Sequence, residues 1–386
     1  MDNLTHSLCG WALARAGMAQ LGAWATPTLI IAANLPDVEN IVSPEGFFVG
    51  PWSNCTTYLA EHRGLTHSFV GLGVMVVVVG LLVWLLGRIF KLHDRPRWWA
   101  AMVVVAAGIL SHLLLDWFNT YGIRPFLPWD ASWYYGDLAF IVDPWMWMIL
   151  GGGIFLGTKR IRSAYRLWLF LGVMTTSILF LAARPTMIPE SRNYYGYFIS
   201  WADNKVGFIS WTVVLIWMIL ALIIIILRVL IFSTQPTQTP ARLSLLVWTI
   251  YVATLFLGSR TATMRTMNLL AANNTNRRLE VKTSANPIPA VPWRFQVLAQ
   301  TETAIERISV NLLCGTTQRL VPVEANLRDP ILATIQGTPE YRAWITFARH
   351  RVFTHEGGLL KLGDMRFRII QRRDWSEMSV PIVPKT

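Results

Sequence analysis

Long apolar runs separated by short polar loops fill the chain up to about residue 258, and beyond that the pattern alternates. Six segments, about 70–90, 99–118, 138–157, 167–183, 208–232 and 243–258, are long and apolar enough to predict membrane-spanning helices. From Arg277 onward, "RLEVKT", "WRFQVLAQ", "IERISVNLL" and "MRFRII" alternate apolar and polar positions, and Pro287, Pro289 and Pro292 punctuate their start. That pattern predicts strands, with one or two helices near 327–348. The chain therefore divides into a helical membrane domain over 1–258 and a small β-rich domain over 259–386. "STQPTQTPA", 233–241, reads as a polar linker between spans.

The stretch before the first clear span is ambiguous. Residues 8–35 are apolar but broken by Gly17, Gly22 and Pro27, with Arg15 inside. A single span fits, and so does a re-entrant hairpin of two short helices turning near Gly17 to Gly22. Two helices of about 13 residues rise roughly 20 Å, part way through a hydrocarbon core of about 30 Å. The hairpin is the preferred reading, partly because the six later spans already satisfy the charge rule, and it would return Asp37 to the side where His6 began. The expected fold class is mainly α: a polytopic helical membrane bundle with an N-terminal re-entrant helical hairpin and a small β-rich C-terminal domain.

Charge sets the orientation. Arg88, Lys91, Arg95 and Arg97 follow the first long span, and Lys159, Arg160, Arg162 and Arg166 follow the third. Arg228 and Arg242 flank the linker after the fifth. These loops should be cytoplasmic. The loops 119–137 and 184–207, rich in Trp, Tyr, Pro and Asp, should face outward, and so should everything after Ser259. The expected location is a bacterial inner membrane, crossed several times, with the C-terminal domain periplasmic.

Composition agrees. Only 15% of residues are charged, against about 25% in a soluble protein. The net charge of +12 raises nucleic acid as a partner, but the basic residues sit mostly in short loops and in the tail, and topology accounts for the loop group. Membrane lipids are the expected partners, nucleic acid is not, and no motif identifies a protein partner for the C-terminal domain. Cys9, Cys55 and Cys314 have no paired spacing, so neither a disulfide framework nor a zinc knuckle is expected. No lysine or arginine precedes Arg15, so the N-terminus does not resemble a cleaved signal peptide.

Polar residues then converge on one inferred face. His6 lies in "THS", Asp37 and Glu39 in "NLPDVE", and Glu61, His62, Arg63 and His67 in "EHRGLTHS". "SHLLLDW" supplies His112 and Asp116, and "FIVDPW" supplies Asp143. At positions i and i+4 of a helix, His112 and Asp116 share a face one turn apart. Each residue has an ordinary reading: Asp143 before Pro144 is a natural helix start, and His112 with Asp116 makes a reasonable interhelical hydrogen bond. Together they are harder to explain as packing, since ionisable groups inside membranes are costly. Histidine and carboxylate without cysteine suit zinc, and also manganese or iron, as one or two ions. The expected ligands are His6, Asp37, His62 or His67 or both, His112, Asp116 and Asp143, with Asp116 best placed to bridge. Arg63 is a candidate for offsetting phosphate charge, and Glu61 or Glu39 for a general base or an orienting group.

"LTHSL", "LPD", "HRGLTHS", "SHLLLD" and "VDP" resemble the bacterial family of LexA-binding, inner-membrane-associated, metal-dependent hydrolases. The motifs cover roughly the first 160 residues, and "NPIPAVPWRF" and "LGDMRF" are similar to that family's C-terminal extension. The resemblance implies an integral membrane hydrolase using a divalent metal. The order His, Asp, His, then His-x-x-x-Asp is also similar to zinc-dependent phospholipase C, although the later His and Glu ligands of those enzymes have no counterpart after Asp116. No motif suggests a repressor-binding surface. The leading expectation is hydrolysis of a phosphate ester in a lipid or lipid-linked substrate at the outer face. A metal-dependent peptidase or amidase is less favoured, since no HExxH occurs. A metal-binding transporter or assembly factor without hydrolase activity, and a structural membrane protein with a periplasmic interaction domain, are the rivals from other classes.

Overall fold

The computed structural model describes residues 1–40, 42–43, 46–47, 59, 62–158, 162–183, 211–231, 237–273, 281–301, 303–320, 322–327, 329–367 and 377–382. The chain opens with helix α1, Asn3–Ala16, whose N-cap Asp2 accepts a hydrogen bond from the Thr5 amide at 3.0 Å. Gly17 ends it at φ +155° and Gly22 follows at +139°, backbone values that side chains disfavour. A 3-10 turn, Met18–Leu21, lies between them, and α2 runs over Ala25–Ala32. The two helices pack closely: a Cβ at Gly10 would stand 2.7 Å from the Leu29 carbonyl. Where α2 ends, Asn34 Nδ2 donates to Ser7 Oγ at 3.0 Å, so the chain has doubled back on itself.

The turn of this hairpin does not stop part way along the bundle, as helix length alone suggests. Gly22 sits against Asp94, in the loop that carries the first basic cluster. Arg15 donates to the Gly157 carbonyl, Arg228 to Thr158 O at 2.6 Å, and Arg242 to Ala16 O at 2.7 Å. Three guanidinium groups thus satisfy carbonyls orphaned at the C-terminal ends of short helices, and two of them, Arg15 and Arg242, anchor the turn level with those loops.

Helices α3, Phe69–Ile89, and α4, Trp98–Phe118, are long and apolar enough to cross a membrane. In two expected spans the apolar stretch is shorter than 18 residues. α5 covers Pro144–Gly157, 14 residues, or about 21 Å. The expected start at 138 moves to 144 because the Asp143 carboxylate caps the Trp145 and Met146 amides, while Leu138 and Ala139 donate to Phe118 O at the end of α4. α6, Arg162–Ala183, is apolar over Arg166–Leu181. α7, Trp211–Leu230, and α8, Thr239–Asn273, are again long and apolar enough to cross. α8 does not stop at 258. Its last turns continue under the tail, where Ala262 and Leu270 pack with Phe295, Val297 and Ile308.

The tail is built on two antiparallel sheets. Strands β3 (Lys282–Ile288), β4 (Val291–Gln300), β5 (Ala304–Asn311) and β6 (Thr316–Arg319) pair in that order, and β7 (Val323–Glu324) joins β5. Strands β8 (Arg351–Glu356), β9 (Leu359–Asp364) and β10 (Met378–Pro381) form the second sheet. β1 (Val42–Ser43) and β2 (Gly46–Phe47) make a small hairpin in the first domain. The expected helices appear as α9, Leu332–Ile335, and α10, Pro339–Phe347. "MRFRII" is not a strand over its described part: Met365–Phe367 turn away from β9, because the Arg366 guanidinium folds back onto Asp364 at 2.8 Å.

The tail seats on the loop 119–137. Trp344 and Phe347 pack with Tyr121 and Trp133. Tyr135 donates to Phe347 O at 2.9 Å, Arg366 to Thr120 O at 2.7 Å, and Arg349 pairs with Asp137.

Candidate metal centre

The site is assembled from one long helix and two 3-10 turns. α4 presents His112 and Asp116 one turn apart, both fully buried. The turn Leu65–His67 presents His67, and its exit is fixed by Ser68, which donates to Leu65 O at 2.8 Å and caps α3 by accepting from the Gly71 amide at 3.0 Å. The turn Leu35–Asn40, directly after the hairpin, presents Asp37.

One ligand atom from each of these four residues lies within 4.8 Å of the others. The His67 Nε2 atom is 3.1 Å from His112 Nε2, 3.6 Å from Asp37 Oδ1 and 3.3 Å from Asp116 Oδ2. His112 Nε2 is 3.7 Å from Asp37 Oδ1 and 3.5 Å from Asp116 Oδ2. A tetrahedral ion with bonds of about 2.0–2.1 Å has ligand-to-ligand edges of roughly 3.3–3.4 Å. The five measured edges bracket that value, so the donor set fits a zinc-sized dication.

The other ring nitrogens are held as metal-bound imidazoles require. His112 Nδ1 lies 2.8 Å from the Ala33 carbonyl, an acceptor only, so the proton sits on Nδ1 and the Nε2 lone pair faces the cluster. His67 Nδ1 lies 3.0 Å from Thr66 Oγ1 and 3.4 Å from Glu39 Oε1. Glu39 in turn accepts from the Arg63 amide and the Thr66 hydroxyl. Burial opposes charge on Asp37, but the imidazoles of His67 and His112 outweigh it and hold its carboxyl below the usual range. Burial also opposes an imidazolium at His67, yet Asp116, Asp37 and Glu39 prevail and push its pKa up to about 10. The same carboxylates, Asp116, Asp37 and Glu39, would attract a dication at this place.

His6 stands beside the four. Its ring stacks on His112 with centroids 3.9 Å apart, and its Nε2 lies 3.3 Å from Asp116 Oδ1. Neither ring nitrogen has a hydrogen-bond partner among the described residues, although the ring is fully buried. The Met1 amino group reaches the same Oδ1. Asp116 therefore offers Oδ2 to His67 and His112 and Oδ1 to His6, the disposition of a bridging carboxylate.

Other candidates lie elsewhere. His62 turns to Glu39, 3.5 Å away, and to the Tyr121 ring, 5.2 Å between centroids. Asp143 is outside the four-residue group: Oδ1 caps α5, and Oδ2 accepts from the Tyr251 hydroxyl at 2.8 Å. Arg63 has φ +55°, and its guanidinium is 3.1 Å from Asp116 Oδ2, bonds the Gly122 carbonyl at 2.7 Å and covers the Tyr121 ring. In this arrangement it orients Asp116. Glu61 lies outside the described residues. Sequence reasoning missed Thr66, the Ala33 carbonyl and Tyr121, together with Asn119, whose Oδ1 accepts from the Arg63 guanidinium at 3.2 Å, and Arg124, which donates to the Arg63 carbonyl at 3.3 Å. Only Thr66, inside "LTHS", carried a signal, by its place in the motif.

Glu39→Ala should lower metal affinity about 10- to 100-fold, because it releases the Nδ1 side of His67 and the Arg63 backbone together. Chelator competition on the purified protein measures this.

Residues 1–186 match the family model described as YdjM inner membrane protein, and every residue of the cluster falls within them. A stretch of 148 residues is 25% identical to the uncharacterized protein YfhP of Bacillus subtilis (strain 168), covering 38% of this chain and 43% of that protein. No solved structure matches. Over its first 186 residues the chain is thus similar to an inner-membrane family, and among the described residues four helices are long and apolar enough to cross a bilayer: it is a membrane protein.

Proposed function

We propose that the protein is a metal-dependent hydrolase of a bacterial inner membrane, which cleaves a phosphate ester of a lipid or lipid-linked substrate at the outer face. The observation that carries this reading is the four-residue cluster Asp37, His67, His112 and Asp116, with near-tetrahedral spacing and oriented imidazoles. Its nitrogen and oxygen donors suit zinc, and manganese and iron take the same types. When bound, such an ion acidifies a water and polarises a phosphoryl oxygen.

The chain's own groups set the rest. His67 and His112 are aimed by their Nδ1 partners, and Arg63 fixes Asp116. Asp37 is 16% exposed where the other three are at most 1%, so substrate approaches from its side. His6 and Oδ1 of Asp116 would be the groups for a second ion, which would have to displace the Met1 amino group from that oxygen.

Orientation follows from charge. The hairpin turn lies with Asp94, Arg228 and Arg242, and the cluster lies at the other end of α1 and α4. With the basic end cytoplasmic, the chain crosses the membrane several times, the hairpin re-enters from outside, and the tail is extracytoplasmic. A reporter that fluoresces only in the cytoplasm, fused after Thr386, should stay dark, and bright cells would invert the arrangement.

The activity test uses detergent-purified protein supplied with zinc and mixed micelles of phosphatidylglycerol. Release of a phosphorylated headgroup or of free phosphate is expected, with loss in Asp116→Asn. Retained metal without turnover of any phosphate ester favours the transport or assembly reading.

A further inference from the structure

A cavity of about 700 Å3 lies between α1, α5, α6 and α7, lined by residues such as Leu8, Met148, Phe155, Trp168, Phe180 and Ile224. Its wall on α6 runs from Trp168 to Leu181, about 20 Å at 1.5 Å per residue. That is most of the way across a hydrocarbon core of about 30 Å. The slot is open along one side, where the lining residues Val173 and Leu181 are exposed, so its apolar surface is within reach of whatever surrounds the helices.

Water is a poor occupant, since it needs two to four polar partners. Four polar groups on the wall are already engaged. Thr175 donates to Leu171 O at 2.8 Å and Thr176 to Gly172 O at 2.7 Å. The Trp217 indole donates to Thr176 Oγ1 at 3.1 Å, and the Trp147 indole to Thr5 Oγ1 at 2.9 Å. Glycines shape the slot: a Cβ at Gly152 would come within 2.9 Å of Ile224, while one at Gly172 would meet nothing within 4 Å.

We propose that this slot holds one hydrocarbon chain of a membrane phospholipid. The surroundings supply that ligand, and the slot runs along the helices as a lipid chain does. Its wall is shared with the metal centre. Leu4 and Leu8 face the slot from α1, while His6, between them on the opposite side of the helix, stacks on His112. A chain in the slot therefore brings its headgroup out beside the N-terminus of α1, next to the cluster. The proposal deepens the lipid reading of the site and rests on it for the substrate role, but occupancy is measured without turnover.

The full chain is reconstituted in vesicles of phosphatidylethanolamine and phosphatidylglycerol, doped with phosphatidylglycerol carrying a diazirine on one acyl chain, and irradiated. Adducts on Met148, Trp168 or Phe180 are expected in the wild type. They should fall about tenfold in Gly172→Phe, whose ring takes the chain's space, and persist in Gly172→Ala. Ala221→Phe plugs the slot from α7 and serves if Gly172→Phe fails to accumulate. Adducts at the exposed Val77 and Leu222 report surrounding lipid and should not change. Equal slot labelling in the plugged and wild-type proteins, or labelling confined to Val77 and Leu222, overturns the proposal. His112→Ala should keep slot labelling while losing metal, so failure of either reading leaves the other measurable.

Discussion

Replacing His112 by alanine is expected to leave the purified full-length protein with negligible bound metal, a loss of at least about 100-fold in affinity. Even an outer-shell partner is worth 10- to 100-fold, and His112 contributes a direct donor. The change removes Nε2, which is within 3.7 Å of three other ligand atoms, and abandons the proton bridge to Ala33 O. Asp143→Asn is the matched control. Through its one carbonyl oxygen asparagine still accepts from the Trp145 amide, and its NH2 group donates to the Tyr251 hydroxyl oxygen in place of the bond Asp143 accepts, so metal content should stay at the wild-type level. Elemental analysis of the three proteins decides: equal metal in wild type and His112→Ala would reject the site, and loss in Asp143→Asn would bring that residue back as a ligand.

Gly108→Leu should lose metal with every ligand still in place. A Cβ at Gly108 would stand 2.6 Å from Ala32 Cβ and 3.1 Å from the Ala33 nitrogen. A leucine there wedges α2 away from α4, one turn below His112. It displaces the Ala33 carbonyl that orients the imidazole, and it shifts the turn that carries Asp37. Overpacking of this kind costs about 1–3 kcal/mol, so the unfolding temperature should drop along with chelator-resistant metal. Gly73→Leu is the comparison, because nothing lies within 4 Å of a Cβ at that position. A Gly108→Leu protein that holds metal like the wild type would mean that α2 does not position the site.

The cluster was legible where its logic is local. His112 and Asp116 are readable from spacing on a helix, and "HRGLTHS" marks its place before a span. The choice between His62 and His67 was not readable, since it depends on a 3-10 turn and on the Ser68 cap that aims His67 inward. The place of Asp143 outside the group of four was not readable for a related reason. An acid before a proline serves equally as helix cap or as ligand, and only the distant Tyr251 shows which oxygen is already used. Arg63 read as a phosphate partner, whereas its contacts to Asp116 and Gly122 come from the far end of α4. The doubling-back at Gly17 to Gly22 was readable from the breakers. Its depth was not, because it is set by Arg15 on Gly157 and by Arg242 on Ala16, contacts made 142 and 226 positions apart in the chain. The end of α8 was missed because polarity rises after Ser259, and hydropathy tracks the membrane rather than the helix.

That unbroken helix makes the two parts of the protein a matter of phase. α8 carries Tyr251, which holds Asp143, and Gly258, where a Cβ would stand 2.6 Å from the Phe295 ring of the sheet. One residue inserted between them rotates everything beyond it by about 100° and advances it about 1.5 Å. The sheet would then swing off the loop 119–137, taking Phe347 away from Tyr121. Seven inserted residues nearly restore the angle but lift the sheet by about 10 Å. The β-rich part is therefore keyed to the bundle like a tooth on a shaft, and exchanging it for a homologous tail requires a junction that keeps both angle and height.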